Sequence, residues 1–133
     1  MTNSEYIQAN AYKPNTSHGN LFTDGNGTMY SYGYHYPLLF EVNGLKFINT
    51  AGYSNTTAKH INHARNLAQH EVHIPYNNSD ISPLAIQKAL VNERAYILEQ
   101  IKAIKRKNTK KGERLQQRVS EIEQALTELQ GTL

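Results

Sequence analysis

The sequence predicts an α+β fold: a small antiparallel sheet with one packed helix, plus a C-terminal helical hairpin or long coiled-coil-like helix. Three observations predict it. Asn43-Gly44 stands between two apolar runs. Tyrosines occupy every second position in Tyr30-Ser31-Tyr32-Gly33-Tyr34-His35-Tyr36. Beyond Ser82-Pro83 an apolar stripe continues at helical spacing to Leu129.

Residues 1–27 are rich in Asn, Thr, Ser and Gly, with Leu21-Phe22 as the apolar pair. They read as an N-terminal arm or loop layer, with possible short strands and a turn at Asp24-Gly25-Asn26-Gly27. A small α+β domain follows over 28–75. The tyrosine period is that of a strand, so Tyr30, Tyr32, Tyr34 and Tyr36 are expected on one face, with Ser31, Gly33 and His35 on the other. Pro37 marks a bend or an edge.

Leu38–Val42 and Leu45–Asn49 flank Asn43-Gly44, the strongest two-residue hairpin signal, because a type I′ turn needs positive φ twice. The turn sets the register. Val42 faces Leu45, Glu41 faces Lys46, Phe40 faces Phe47 and Leu39 faces Ile48. The Glu41/Lys46 pair resists a slip. Phe40, Val42, Leu45 and Phe47 share a face.

Residues 54–69 have the pattern of a helix, with Ala58, Ile61, Ala64, Leu67 and Ala68 as the apolar stripe and a Ser/Asn/Thr cluster to cap it. Residues 75–80 read as a linker. Ser82-Pro83 places an N-cap and an N1 proline before the appendage over 82–131. Its stripe runs Ile86, Leu90, Ile97, Ile101, Ile104, then Leu115, Val119, Ile122, Leu126, Leu129. The sevenfold repeats Leu115/Ile122/Leu129 and Val119/Leu126/Leu133 suggest a coiled-coil-like seam. Asn108 to Gly112 can form a turn between two antiparallel helices. Alternatively, the eleven residues from Ile104 to Leu115 keep the stripe in phase through one unbroken helix. Asn and Gly favour the hairpin. Ala95, Leu98 and Ala125 widen the seam beyond what one partner covers, so a homo-oligomer through the C-terminal helices is expected.

At 133 residues, 38% hydrophobic and without Trp, the chain has a small core. It has no Cys, which excludes disulfides and thiolate metal sites and is compatible with a reducing compartment. No signal peptide and no run of roughly 20 apolar residues is present, so a cytoplasmic location with no membrane partner is expected.

The net charge of +3 is unevenly spread. Ten of the 14 Lys and Arg lie between Lys88 and Arg118, and Lys102, Lys105, Arg106, Lys107, Lys110, Lys111 and Arg114 face only Glu113 in their stretch. A field of that size favours an acidic partner: nucleic acid, a nucleotide, or an acidic protein surface such as that of a nucleoprotein. The tyrosine row adds a surface on which bases stack. Equally, the tyrosines can be a packed strand face, and the cations a solvated helix end.

A second candidate spans Tyr53-Ser54-Asn55-Thr56-Thr57-Ala58-Lys59-His60. Tyr53, Ser54, Thr56, Thr57, Lys59 and His60 bring hydroxyls and a cation to a helix start, where free N–H groups favour a phosphate. Plain N-capping explains the same residues. The glycines of a Walker or dinucleotide loop are absent. His60-x-x-His63 and His70-x-x-His73 have helical metal spacing, but only Glu71 is a carboxylate near them. Neither a metal nor a cofactor is expected. Ser54 with His60 names no third orienting residue, and no catalytic residues are assigned.

Tyr30-Ser31-Tyr32, then Pro37 and a short strand pair, then Tyr53 to His60, resembles a family of small phage-type proteins of unassigned activity. The resemblance covers about residues 28–67, and the C-terminal helical region looks like an addition. It implies a non-enzymatic accessory binding protein of a phage or mobile element. Many such proteins inhibit host defence (anti-CRISPR-like) by binding their target. The alternative is a small phosphodiester-processing enzyme that uses His35, Lys59 and His60 with Ser54.

Overall fold

A computed structural model describes residues 1–34, 36–51, 58–62, 64, 71–104 and 109–131. The chain divides into two compact units, Met1–Ile81 and Ser82–Leu133.

The first unit opens with α1 (Asn3–Asn10). Thr2 caps it, accepting from the Glu5 amide at 3.1 Å, while the Glu5 carboxylate accepts from the Thr2 amide at 3.2 Å. That is a reciprocal capping box. Six strands follow: β1 (Ser17–His18), β2 (Leu21–Thr23), β3 (Met29–Ser31), β4 (Pro37–Val42), β5 (Leu45–Asn49) and β6 (Val72–Ile74). They lie side by side in chain order. Every pairing is antiparallel except β5–β6, which is parallel. Residues 58–62 and 64 are helical and are called α2.

Residues 1–27, expected as an arm or loop layer with short strands, supply β1 and β2 to this unit and also the helix α1, which was not expected. The expected turn is present. Asp24 Oδ1 accepts from the amides of Asn26 and Thr28, at 2.9 and 3.1 Å.

The β4–β5 hairpin has the predicted register at all four pairs, Leu39/Ile48, Phe40/Phe47, Glu41/Lys46 and Val42/Leu45. Asn43 and Gly44 carry φ of 50° and 85°, as a type I′ turn requires. Phe40, Val42 and Phe47 are buried on the predicted face, and Phe40 stacks on Phe47 at 5.4 Å. Leu39 and Ile48, on the opposite face, are also buried. They join a core with Leu21, Met29, Tyr6 and Ile7 of α1, and Ile61 and Ala64 of α2. Ala58, placed on the apolar stripe by its spacing, is exposed.

The second unit is a helical hairpin. α3 (Pro83–Ala103) starts on the Ser82 cap with Pro83 at its first position. It stops at Ile104, whose extended backbone (φ −81°, ψ 125°) interrupts the helix. α4 (Lys110–Gly131) then packs against α3. Thr109 starts α4, its hydroxyl accepting from Gly112 N at 3.2 Å and its carbonyl from Glu113 N at 2.9 Å. Gly112 thus lies in the first helical turn rather than in the connection. Ile86, Leu90 and Ile97 of α3 and Ile122, Ala125, Leu126 and Leu129 of α4 are buried. Among the described residues, no helix is long and apolar enough to cross a membrane.

Candidate functional site

The tyrosine run is not one strand. β3 ends at Ser31 and β4 begins at Pro37, and a tight connection carries the residues between. Ser31 N donates to Tyr36 O at 3.1 Å, and Tyr36 N to Gly33 O at 3.2 Å. Tyr32 takes a positive φ of 73°, and its amide donates to Asn20 O at 2.7 Å. A chain reversal inside the run destroys the period of two, and the four rings no longer share one face.

Tyr36 turns into the core, and its hydroxyl donates to Ala51 O at 2.5 Å. Tyr32 is exposed. Tyr30 and Tyr34 stay together, with centroids 5.1 Å apart. Phe22, cross-strand from Tyr30, completes the group at 5.3 Å from Tyr30 and 4.9 Å from Tyr34. Tyr34 is 66% exposed, so the cluster has one open ring. Phe22 was visible in the sequence only as half of an isolated apolar pair. The Tyr30 hydroxyl donates to Asp24 Oδ2 at 3.2 Å. Burial first, and the Asp24 carboxylate second, push its pKa up to about 12. This cluster is an aromatic surface with an acidic neighbour, which favours ring stacking over phosphate contact.

Of the expected Tyr53-to-His60 pocket, residues 52–57 lie outside the described ones, so Tyr53, Ser54, Thr56 and Thr57 have no structural account. His35, His63 and His70 lie outside them too. Lys59 is exposed on α2. His60 is buried. Its Nδ1 lies 2.6 Å from Ser31 Oγ, and its Nε2 lies 3.4 Å from Asn3 Nδ2. The imidazole is thus paired with Ser31, from the run it was not expected to meet. This interaction joins α1, β3 and α2 beneath the sheet. Among the described residues, no group of three His, Asp or Glu side chains is placed to hold a metal ion.

The cations fall at one end of the hairpin. Lys102 is in the last turn of α3, while Lys110, Lys111 and Arg114 occupy the first turns of α4, all exposed. Lys105, Arg106 and Lys107 lie outside the described residues. Arg118, half-buried, is one turn beyond Arg114. Glu121, Glu123 and Glu128 occupy the other half of α4, and its last turn holds no basic residue.

This charge order opposes the helix dipole. A helix start carries about half a positive charge, so stability alone favours carboxylates there and cations at the far end. Glu113 is the acidic residue in the first turn. Cations gathered on the positive pole raise the local potential, and the helix dipole has the same sign there. The result is a cationic end suited to an anion with several charges. No protein-family model matches the chain, and neither a curated protein nor a solved structure does.

Proposed function

We propose that the chain is a non-catalytic binding protein whose C-terminal hairpin presents its cationic end to a polyanionic partner, a nucleic-acid backbone or the nucleic acid of a host nucleoprotein. One observation carries this reading: Lys110, Lys111 and Arg114 sit on the pole of α4 where they cost helix stability. The open ring of Tyr34, backed by Phe22 and Tyr30, supplies a separate stacking surface in the first unit. Burial of His60 against Ser31 supports binding over phosphodiester chemistry, because a general base must reach its substrate. The resemblance of residues 28–67 to phage-type proteins extends the reading to an accessory protein that inhibits host defence by sequestration.

The test is fluorescence anisotropy with labelled single-stranded and duplex oligonucleotides over a salt series. Binding should weaken steeply with salt, and each of Lys110→Ala, Lys111→Ala and Arg114→Ala should reduce the log–log slope by about 1. Absence of binding to either oligonucleotide at low salt sinks the nucleic-acid reading. A pull-down from nuclease-treated host lysate then tests for an acidic protein target.

A further inference from the structure

The outer side of α3 carries a second apolar stripe that the hairpin does not cover. Leu84, Val91 and Leu98 recur at intervals of seven, and they are 59%, 40% and 40% exposed. Ala95, also exposed, lies between the last two. The helix face that meets α4 is a different one, marked by buried Ile86, Leu90 and Ile97. A spacing of seven keeps side chains aligned along a helix that pairs with another helix.

An open hollow of about 350 Å³ sits on this stripe, lined by Leu84, Gln87, Lys88, Val91 and Asn92. Leu84, Gln87, Lys88 and Val91 stand at i, i+3, i+4 and i+7. Four residues so spaced form the hole that receives one knob from a facing helix. The feature is therefore shaped for a helix side chain rather than for a small polar ligand.

We infer that α3 joins two copies of this chain as a two-fold antiparallel pair, with Leu98 of each copy seated in the Leu84–Gln87–Lys88–Val91 hole of the other. An antiparallel copy presents the same stripe in reverse order, so the leucine at the C-terminal end of each stripe can meet the hole near the N-terminal end of the other. With Leu98 of the second copy centred in the hole, its Val91 falls between Val91 and Leu98 of the first, where Ala95 leaves room. The register also aligns charge. Lys88 and Glu99 lie on the same edge of the stripe, and a two-fold brings like edges together. Glu99 of the second copy then stands within about 2 Å of Lys88 along the helix axis, given a rise of 1.5 Å per residue. Two such pairs form per dimer, with Lys102, 3.5 Å from Glu99 in its own chain, beside each. Parallel pairing would instead set Lys88 of one copy and Glu99 of the other on opposite edges of the seam. Of the seam residues expected from sequence, Ala95 and Leu98 belong to this surface, whereas Ala125 is buried.

The test is sedimentation velocity of the full chain across a micromolar series, with helicity checked by circular dichroism. The unmodified chain should run as a dimer at high micromolar concentration. Leu98→Glu should weaken the dimer about 10- to 100-fold without loss of helicity, since the side chain is already exposed in the single copy. Lys88→Glu and Glu99→Lys should each weaken it, and the double exchange should restore it. A monomer throughout the range overturns the inference and leaves the stripe to a different partner. A dimer that withstands Leu98→Glu, or a double exchange no better than either single change, overturns this surface and register.

Discussion

The side-chain amide of Asn49 clasps the backbone of Tyr76 at both ends: Oδ1 accepts from Tyr76 N at 2.9 Å and Nδ2 donates to Tyr76 O at 2.7 Å. The same amide donates to Pro37 O at 2.9 Å and accepts from Ala51 N at 3.0 Å, so all four of its hydrogen-bonding places are filled while it is fully buried. It ties the start of β4 to the end of β5 and to the chain leaving β6, where the parallel strand is only three residues long.

Asn49→Ala should therefore lower the stability of the first unit by about 2–4 kcal/mol, because it strands buried backbone groups as well as removing bonds. Asn49→Asp should be no milder. A carboxylate keeps the two acceptor contacts but turns its other oxygen toward the Pro37 and Tyr76 carbonyls. Urea unfolding of the full chain measures both, and a midpoint unchanged in either variant would contradict the bracing role.

Two glycines separate conformational strain from steric clash. Gly27 and Gly44 have φ of 82° and 85°. A Cβ at Gly44 meets nothing within 4 Å, but at Gly27 it would lie 2.4 Å from the Tyr12 carbonyl oxygen. Gly44→Ala should cost about 1–2 kcal/mol, from the left-handed conformation alone. Gly27→Ala should cost about 1–3 kcal/mol more, because the turn must also move off the backbone at Tyr12. Equal losses in thermal unfolding would mean that the close approach is relieved without cost.

Tyr30 predicts how the first unit responds to alkali. Its pKa is raised to about 12 by burial, then by Asp24. Burial, then Glu71, raise Tyr12 as well. Folding thus favours the protonated phenols. Their contribution is complete below the ordinary tyrosine value near 10 and declines as pH rises through the folded pKa values. Stability should fall between about pH 10 and 12. Tyrosinate absorbance should show a late phase that includes Tyr30. Asp24→Asn retains the acceptor at Oδ1 and removes the charge, so it should move the Tyr30 transition to lower pH. A transition that stays in place would assign the whole shift to burial.

Local chemistry explains which parts of the fold were legible in the sequence. The β4–β5 hairpin followed from Asn43-Gly44 because two adjacent positive φ values leave few alternatives, and the α3 start followed from Ser82-Pro83. The hairpin connection was partly legible, since Asn108 and Gly112 weakened the unbroken helix, but the break itself came at Ile104, a residue with no breaker chemistry. β1, β2 and β6 are two or three residues long, too short to display a period. The tyrosine row misled because alternation reports a strand only where the chain does not reverse, and Tyr32 adopts a positive φ without a glycine to announce it. The cationic end was visible as composition. The Leu84–Val91–Leu98 stripe required the structure, because two apolar faces on one helix read as a single wide one until α4 claims its side.

The cationic end also predicts a trade between stability and binding. Lys110 and Lys111 stand in the first turn of α4, exposed, against the positive pole of the helix. Replacing both with Glu places carboxylates where the dipole favours them, and a Glu at 110 also gains an i,i+4 partner in Arg114. Repulsion from Glu113 offsets part of that gain. The doubly substituted chain should melt roughly 2–4 °C higher than the unmodified one. Over the same change, affinity for an oligonucleotide should fall by far more than one lost contact accounts for, because two attractive charges become repulsive. Lys110→Gln with Lys111→Gln should fall between the two in both respects. Scanning calorimetry and anisotropy on the same samples read the two quantities together. A variant that loses stability and binding in parallel would show that the cations hold the hairpin together, whereas opposite movement is the result expected of residues retained for a partner.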